Sequence, residues 1–346
     1  MEKIDFPWVK PALERLPATV QAMPHALMLS GQAGLGKRTT ALFLAKALLC
    51  ETERAVLGAC GKCPSCHLYV AGNHPDLRII EIGQEDVQAS ESLEEEPATP
   101  AKKPSRQIPV DAIRALADFV AVTAHRARAK VIVITPAEAM HPGAANAVLK
   151  MLEEPPGSAT YFMLVSHRPD RVLSTIRSRC FQVPFGVPST DVALDWLKGQ
   201  GTEHPRLALA QGGYAPLAAL ERARDAEFWN QRKTLLDELA GPGFDPLVAA
   251  DRAEPIDGPV VARLLSQWAY DLVSLKSGGT VRYHPDYAAA LEPLARKLPT
   301  QGLMLWYDSV LQYARAAQHP LNKRLAMESL MSRYPAHEFG DTDHLG

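Results

Sequence analysis

The sequence has no apolar run of about 18 residues, the length at which a helix becomes a candidate membrane span. Its first residues, from Met1 to Asp5, lack the basic and then apolar pattern of a signal peptide. The net charge of −2 excludes a uniformly basic nucleic-acid-binding protein, although a local basic patch stays open. We therefore expect a cytoplasmic protein with no membrane partner.

Cysteine is scarce, with five residues in the chain of 346, yet four of them lie between positions 50 and 66. In a reducing compartment, clustered cysteines indicate a metal site before they indicate disulfides. The spacing C-x9-C-x2-C-x2-C places four thiolates close enough to surround one tetrahedral Zn²⁺. Such a closed site is structural, because it leaves no coordination position for a substrate. The predicted ligands are Cys50, Cys60, Cys63 and Cys66.

Two other cofactors fit part of this pattern. The segment 63–67 has the form of a c-type haem attachment motif, but attachment requires export and leaves Cys50 and Cys60 unexplained. An iron–sulfur cluster is also an option, although the Cys-Pro ending of the bacterial motif is absent. The fifth cysteine, Cys180, stands alone and is predicted to lie in the core.

A phosphate-binding loop follows the first predicted strand. The apolar run at 26–29 is typical of a buried parallel strand. The glycines that follow let backbone N–H groups turn inward, and a lysine and a helical pattern complete the loop at a helix N-terminus. The candidate nucleotide-binding residues are Gly31, Gly34, Gly36, Lys37, Arg38 and Thr39.

This loop lacks groups that an ATPase uses to hold Mg²⁺. The residue after the lysine should carry a hydroxyl for the metal, and here it is Arg38. The next hydroxyl, on Thr39, lies about 100° further round the helix. At the end of the strand 131–135, where an active ATPase carries an acidic pair, the chain has Thr135 and Pro136. We therefore predict a pocket that binds ATP or ADP, if at all, without hydrolysis; compensation by Glu138 is the less favoured alternative.

Strand and helix patterns alternate from 25 to 184, which predicts a parallel α/β core. The first 24 residues suit a short amphipathic helix packed on that core. The acidic and proline-rich segment 84–106 predicts a mobile surface insertion. Beyond Pro188 only helical patterns remain, so the fold class is α/β plus all-α. The predicted domains are 1–187, an α/β domain with the zinc module at 50–66; 188–226, a small helical domain; and 227–346, a second helical domain.

Several motifs together resemble the bacterial clamp-loader ATPases of the AAA+ class. They are the P-loop, the cysteine cluster, Gly72–Asp76, Ile108–Arg114, Lys130–Ile134, Ala145–Pro156, Ser178–Cys180 and, more faintly, Asn322–Leu330. The segment Asn-Ala-x-Leu-Lys-x-Leu-Glu-Glu-Pro-Pro together with Ser-Arg-Cys is highly specific, whereas the P-loop alone is not. The resemblance covers residues 1 to about 190 well.

The resemblance implies a five-subunit arc that uses ATP to place a sliding clamp on primed DNA during replication. It also implies that 188–226 is a lid domain and that 227–346 contributes to a helical collar. The partners would be the other clamp-loader subunits, namely an ATPase subunit and a delta-type clamp opener, with the clamp and DNA. The lost magnesium groups match the non-hydrolysing members, and the segment Gly212–Pro216 lacks the second nucleotide-sensing arginine of the hydrolysing ones. The chain is thus expected to be a non-catalytic subunit of a DNA-directed DNA polymerase complex.

Within the family, the arginine of the Ser-Arg-Cys motif reaches the ATP of a neighbouring subunit. The matching residue is Arg179, which the resemblance makes an arginine finger in trans; Arg177 is the weaker candidate. A structural ion pair is the alternative role of Arg179. A third reading of the chain is a zinc-dependent nucleic-acid-binding module, suggested by the cysteines and by a basic turn with His125, Arg126, Arg128 and Lys130.

Overall fold

The computed structural model describes residues 6–52, 58–82, 107–126, 129–154, 159–317 and 322–335. The chain divides into two compact units, Met1–Val192 and Ala193–Gly346. The predicted mobile insertion at 84–106 lies outside the described residues. No helix in the described ranges combines the length and apolarity that a membrane span requires.

The first unit contains a five-stranded parallel sheet with the order β2-β3-β4-β1-β5. The strands are β1 (Ala26–Ser30), β2 (Leu77–Glu81), β3 (Lys130–Thr135), β4 (Thr160–Ser166) and β5 (Phe181–Pro184). Every residue of β1 and β3 is buried, as expected of central parallel strands covered on both faces. The parallel α/β core predicted from the alternating pattern is confirmed.

Helices cover the sheet and connect its strands. They are α1 (Lys10–Leu13), α2 (Lys37–Leu49), α3 (Pro64–Val70), α4 (Val110–Ala121), α5 (Pro142–Glu153) and α6 (Ser174–Arg177). One face of the sheet packs on the apolar sides of α4 and α5 through Ile113, Leu116 and Val148. This arrangement places the carboxyl ends of all five strands at one edge, where α2 begins.

The described part of the N-terminal segment forms the short helix α1 between two 3₁₀ turns, Pro7–Val9 and Val20–Ala22. Pro7 and Pro11 stand at the first positions of helical turns, where a missing backbone N–H is tolerated. Trp8 and Val9 are buried, so the core role predicted for the apolar residues of this segment is confirmed. The indole nitrogen of Trp8 donates a hydrogen bond to the carbonyl oxygen of Leu35 at 3.1 Å. The segment therefore braces the loop that precedes α2.

The second unit is helical throughout its described residues, as predicted. Its helices are α7 (Thr190–Gly199, whose first residues belong to the first unit), α8 (Pro205–Gln211), α9 (Pro216–Ala223), α10 (Ala226–Ala240), α11 (Pro246–Ala253), α12 (Gly258–Lys276), α13 (Ala288–Lys297), α14 (Thr300–Ala316) and α15 (Lys323–Ser332). Apolar side chains between 193 and 219 form one cluster, and those between 228 and 334 form another. The predicted division into a lid at 188–226 and a collar at 227–346 stays a prediction.

Candidate functional site

The loop between β1 and α2 contains three glycines with positive φ angles. Gly31, Gly34 and Gly36 have φ angles of 141°, 78° and 84°, which side chains with a Cβ rarely adopt. A Cβ on Gly31 would also collide with the carbonyl oxygen of Phe185. The loop is fixed to the sheet because the Gly31 N–H donates to the Ser166 carbonyl at 3.2 Å. The glycines of the motif are therefore required by conformation, as the sequence predicts.

Lys37 is the first residue of α2 and is almost fully buried, with 2% of its surface exposed. Its Nζ donates a hydrogen bond to the carbonyl oxygen of Gln32 at 2.6 Å, so the loop closes around its own lysine. Burial lowers the pKa of the Lys37 ammonium to about 8, while the carboxylate of Glu138 acts in the opposite direction. A buried cation held by a neutral carbonyl is well suited to an anionic ligand.

Arg38 stands where an active ATPase has its metal-binding hydroxyl, and its guanidinium forms an ion pair with Glu81. Glu81 is the last residue of β2 and lies in register with Thr135 at the end of β3. The Thr39 side chain is exposed on the first turn of α2. Because a guanidinium replaces the hydroxyl and pairs with the carboxylate at this edge, these residues do not fit Mg²⁺.

Glu138 lies in the 3₁₀ turn Ala137–Ala139 and accepts hydrogen bonds from the backbone N–H of His167 at 3.0 and 3.3 Å. Its carboxylate therefore already accepts hydrogen bonds from the residue that follows β4. Beside it, the Ser166 hydroxyl is fully buried and has no hydrogen-bond partner among the described residues. The sequence placed Glu138 on a turn after β3 but did not reveal His167 as its partner.

The four clustered cysteines converge as predicted. All four sulfur atoms lie within 4.8 Å of one another, with 4.0 Å between Cys50 and Cys63 and 4.0 Å between Cys60 and Cys66. A tetrahedral ion with Zn–S bonds of about 2.3 Å requires sulfurs about 3.8 Å apart. The donor set and its dimensions therefore fit one Zn²⁺.

The surroundings of two of these sulfurs shift their pKa values in opposite directions. The Cys60 sulfur accepts from the N–H groups of Lys62 and Cys63 at 3.4 and 3.3 Å. Hydrogen bonds from Thr52, and then from these two N–H groups, lower the pKa of Cys60 to about 6. Burial raises the pKa of Cys66 to about 12, so that thiol needs a cation beside it to ionise.

The motif Gly72–Asp76 attaches the cysteine module to the sheet. Ser65 on α3 donates a hydrogen bond to the Leu49 carbonyl at 2.7 Å, and its hydroxyl also contacts His74. Asp76 is fully buried just before β2. The motif Gly72–Asp76 therefore has a structural role, because it holds α3 of the cysteine module beside the start of β2.

The basic turn before β3 is held by internal contacts. Asp76 accepts from the backbone N–H groups of His125 and Arg126 at 2.8 and 3.0 Å. The Arg126 guanidinium donates twice to Glu51, at 2.9 and 2.6 Å, next to the first cysteine. Asp76 and Arg126 therefore join the turn to the cysteine module.

These contacts weaken the interpretation of this turn as a nucleic-acid interface. Lys130 is buried, with 3% of its surface exposed, and donates to the carbonyl oxygen of Phe119. Arg128 lies outside the described residues. Two of the four predicted cations are thus committed within the protein, and phosphate binding would have to depend on the other two.

Asp76→Ala is expected to lower the free energy of unfolding by about 3 kcal/mol, since two backbone N–H groups lose a charged acceptor. Thermal or urea unfolding of the full chain measures this effect. Asp118, exposed on α4, provides the matched control, and Asp118→Ala should change stability by less than about 0.5 kcal/mol. Equal stability of the two variants would contradict the assigned role of Asp76.

Arg179 lies after α6, just before β5. Its guanidinium pairs with Glu153 at 2.6 Å and donates to the Thr175 carbonyl at 3.0 Å. The two charged side chains are 38% and 43% exposed, so this is a surface pair. Arg177 donates to the Pro169 carbonyl at 3.1 Å. The neighbouring Cys180 is buried, as the sequence predicts.

The Arg179–Glu153 contact bears on both roles considered for this arginine. An ion pair is present, yet surface pairs contribute only about 0–1 kcal/mol and exchange readily. Glu153 belongs to the motif Ala145–Pro156, and Arg179 belongs to the motif Ser178–Cys180. The sequence did not reveal that these two motifs are in contact. Their proximity is a long-range contact, since 26 positions separate residues 153 and 179.

The sequence was compared with protein-family models and with known proteins. A family model described as DNA polymerase III, delta subunit matches residues 12–189, and one for the C-terminal part matches residues 226–334. A DNA polymerase III subunit delta' of Pseudomonas aeruginosa is 33% identical over 95% of this chain and 97% of its own length. The subunit delta' of Escherichia coli K12 is 32% identical over 68% of this chain and 65% of its own length.

A solved structure of a DNA polymerase III gamma subunit-related protein from Thermotoga maritima is 15% identical to this chain. It covers 95% of this chain and 99% of its own, with a TM-score of 0.44. The sequence matches carry the assignment. The chain belongs to the family of DNA polymerase III delta-prime subunits.

Proposed function

We propose that this chain is a non-hydrolysing subunit of the DNA polymerase III clamp loader and supports ATP-dependent loading of the sliding clamp onto primed DNA. The observation that carries the proposal is the similarity to a subunit delta' along 95% of the chain. The pocket geometry supports it, because Arg38 pairs with Glu81 where a metal-dependent ATPase holds its cation.

In this proposal Arg179 acts in trans on ATP bound by a neighbouring ATPase subunit. Its guanidinium is partly exposed and is held by a surface carboxylate that a phosphate can replace. A planar guanidinium forms paired hydrogen bonds with phosphate oxygens and stabilises charge that develops on the transferred group. The catalytic contribution of the chain would thus be made at another subunit's site.

The assembly that this role requires is a hetero-pentamer. Its other members would include the ATPase subunit and a delta-type clamp opener, and the complex would act on the clamp and on primed DNA in the cytoplasm. We assign the helices between 227 and 335 to the collar that joins the subunits. We assign 188–226 to the small helical lid domain.

The cysteine cluster holds a structural Zn²⁺ in this proposal. Its four sulfurs have the dimensions of a tetrahedral site, and a four-thiolate site leaves no position for substrate. When bound, the ion would cross-link Cys50, at the end of α2, to Cys63 and Cys66 at the start of α3.

The P-loop is proposed to retain nucleotide without turnover. Lys37 and backbone N–H groups of the loop would supply the phosphate contacts, with Gly31, Gly34 and Gly36 providing the conformation. The rival function, an active ATPase, would need Thr39 and Glu138 to replace the lost groups. Thr39 is exposed and Glu138 is engaged by the His167 N–H, which favours the non-hydrolysing role.

Omission of this chain from a reconstituted loader tests the proposal. The other subunits, clamp, primed DNA and ATP are mixed with or without it, and clamp retention on DNA is measured. We expect loading to require the chain, since an open arc lacking one subunit cannot fix the clamp opener. Full loading without it would contradict the proposed function.

The third reading, a zinc-dependent nucleic-acid-binding module, predicts salt-dependent DNA affinity of the isolated chain that disappears when the metal is removed. We expect instead that the isolated chain binds primed DNA weakly and that metal removal mainly lowers stability. Fluorescence anisotropy at two salt concentrations distinguishes these outcomes.

A further inference from the structure

Arg38 has the properties of a built-in counter-cation. Its Nε donates to Glu81, which fixes the guanidinium at the carboxyl edge of the sheet. Within the part of the chain that the structure describes, neither terminal nitrogen of Arg38 has a hydrogen-bond partner. The side chain is 52% exposed, so these nitrogens can meet a ligand. The Nε edge of the guanidinium is thus held by Glu81, and its two terminal nitrogens can donate hydrogen bonds to a ligand.

The surroundings of Arg38 are suited to an anion. Lys37, on the same first turn of α2, is 2% exposed and is held by a neutral carbonyl oxygen. Ser166, whose carbonyl accepts from the Gly31 N–H, contributes a fully buried hydroxyl without a partner in the described ranges. An unpartnered buried hydroxyl costs free energy unless a ligand engages it. Two cations and one hydroxyl thus lie around the loop.

A divalent metal finds no matching set of ligands here. Mg²⁺ requires oxygen ligands in a near-octahedral arrangement, usually including a carboxylate. The carboxylate of Glu81 is paired with Arg38, and that of Glu138 accepts from the His167 N–H. The fixed positive charge of Arg38 also repels a dication at short range.

We propose that this pocket binds the diphosphate group of a nucleotide with the Arg38 guanidinium as its counter-cation, so that binding requires no divalent metal. The inference rests on the nucleotide retention proposed above and adds its cation requirement. Glu81 is then a positioning residue, because it holds Arg38 through Nε and leaves two nitrogens for phosphate oxygens.

Calorimetric titration of the full chain with ADP tests this proposal. The buffer is freed of divalent ions on a chelating resin, since a soluble chelator would also remove metal from the cysteine cluster. We expect the affinity for ADP in this buffer to equal or exceed the affinity with millimolar Mg²⁺. Pyrophosphate should behave in the same way, because the diphosphate is the group recognised.

Two variants make the test specific. Arg38→Thr should weaken metal-free ADP binding about tenfold or more and should make binding depend on Mg²⁺. Arg171→Thr, which removes the exposed arginine that ends the 3₁₀ turn Pro169–Arg171 after β4, should bind as the parent does. Thermal unfolding with unchanged midpoints verifies that each variant is folded.

The possible failures are distinguishable. Parent binding at least tenfold tighter with Mg²⁺, or unchanged metal-free binding by Arg38→Thr, would overturn the counter-cation role while leaving nucleotide retention intact. The absence of ADP binding in both buffers would overturn nucleotide retention and the present inference together. Neither result would touch the proposed action of Arg179 on a neighbouring subunit.

Discussion

Arg179→Ala is expected to lower ATP hydrolysis by about 10³-fold or more at the single site that receives this residue in the assembled loader. The physical reason is that the lost guanidinium no longer stabilises charge developing on the γ-phosphate. Single-turnover hydrolysis with clamp and primed DNA present measures the effect. Because the arginine is partly exposed on the surface, the variant should stay folded.

Three further variants distinguish an arginine finger from a structural ion pair. Arg179→Lys keeps the charge but loses the paired donors, so it should restore only a small part of the rate. Arg177→Ala removes the adjacent arginine, whose guanidinium donates to a backbone carbonyl, and should leave hydrolysis nearly unchanged. Glu153→Gln removes the ion-pair partner of Arg179; a rate loss equal to that of Arg179→Ala would instead indicate a structural pair. Normal hydrolysis by Arg179→Ala would defeat the assignment.

Cys63→Ser is expected to abolish stoichiometric metal binding and to lower the thermal midpoint of the first unit by about 10 °C or more. A structural zinc site contributes its binding free energy to folding, and three thiolates cannot close the tetrahedron. Cys63 also caps α3, because its sulfur accepts from the Cys66 N–H at 3.4 Å. Metal analysis and calorimetric unfolding of a reduced, freshly purified sample measure both effects.

Cys180→Ala is the matched control for the metal site. This thiol is also buried but belongs to the core, so its loss should reduce stability modestly and leave the metal content unchanged. Parent protein without metal, when purified under reducing conditions, would contradict the zinc assignment. Equal metal content in Cys63→Ser and the parent would contradict it as well.

Local patterns predicted the framework of the first unit well. The uninterrupted apolar runs at 26–29 and 131–134 are strands buried on both faces, which such runs indicate. The P-loop glycines predicted a tightly turned backbone, because positive φ angles favour glycine. The cysteine spacing predicted a cluster of four sulfurs, because one metal ion needs all four ligands close together. Because the residues of each motif are close together in the sequence, few other local conformations were available to them.

The partners of the functional cations could not be predicted in the same way. Arg38 meets Glu81 only because β2 ends beside β3, and Arg179 meets Glu153 only because α5 and α6 pack together. These contacts depend on sheet order and helix packing, which one sequence does not specify.

The measurement that tests the central claim most directly is Mg-ATP hydrolysis by the isolated chain, with the chain in excess over ATP. We predict phosphate release no faster than that of the matched variant Lys37→Ala, since the pocket has no metal-binding hydroxyl and its nearby carboxylates are engaged. Release well above that background, and abolished by Lys37→Ala, would show that the chain hydrolyses ATP in its own pocket and would contradict the account.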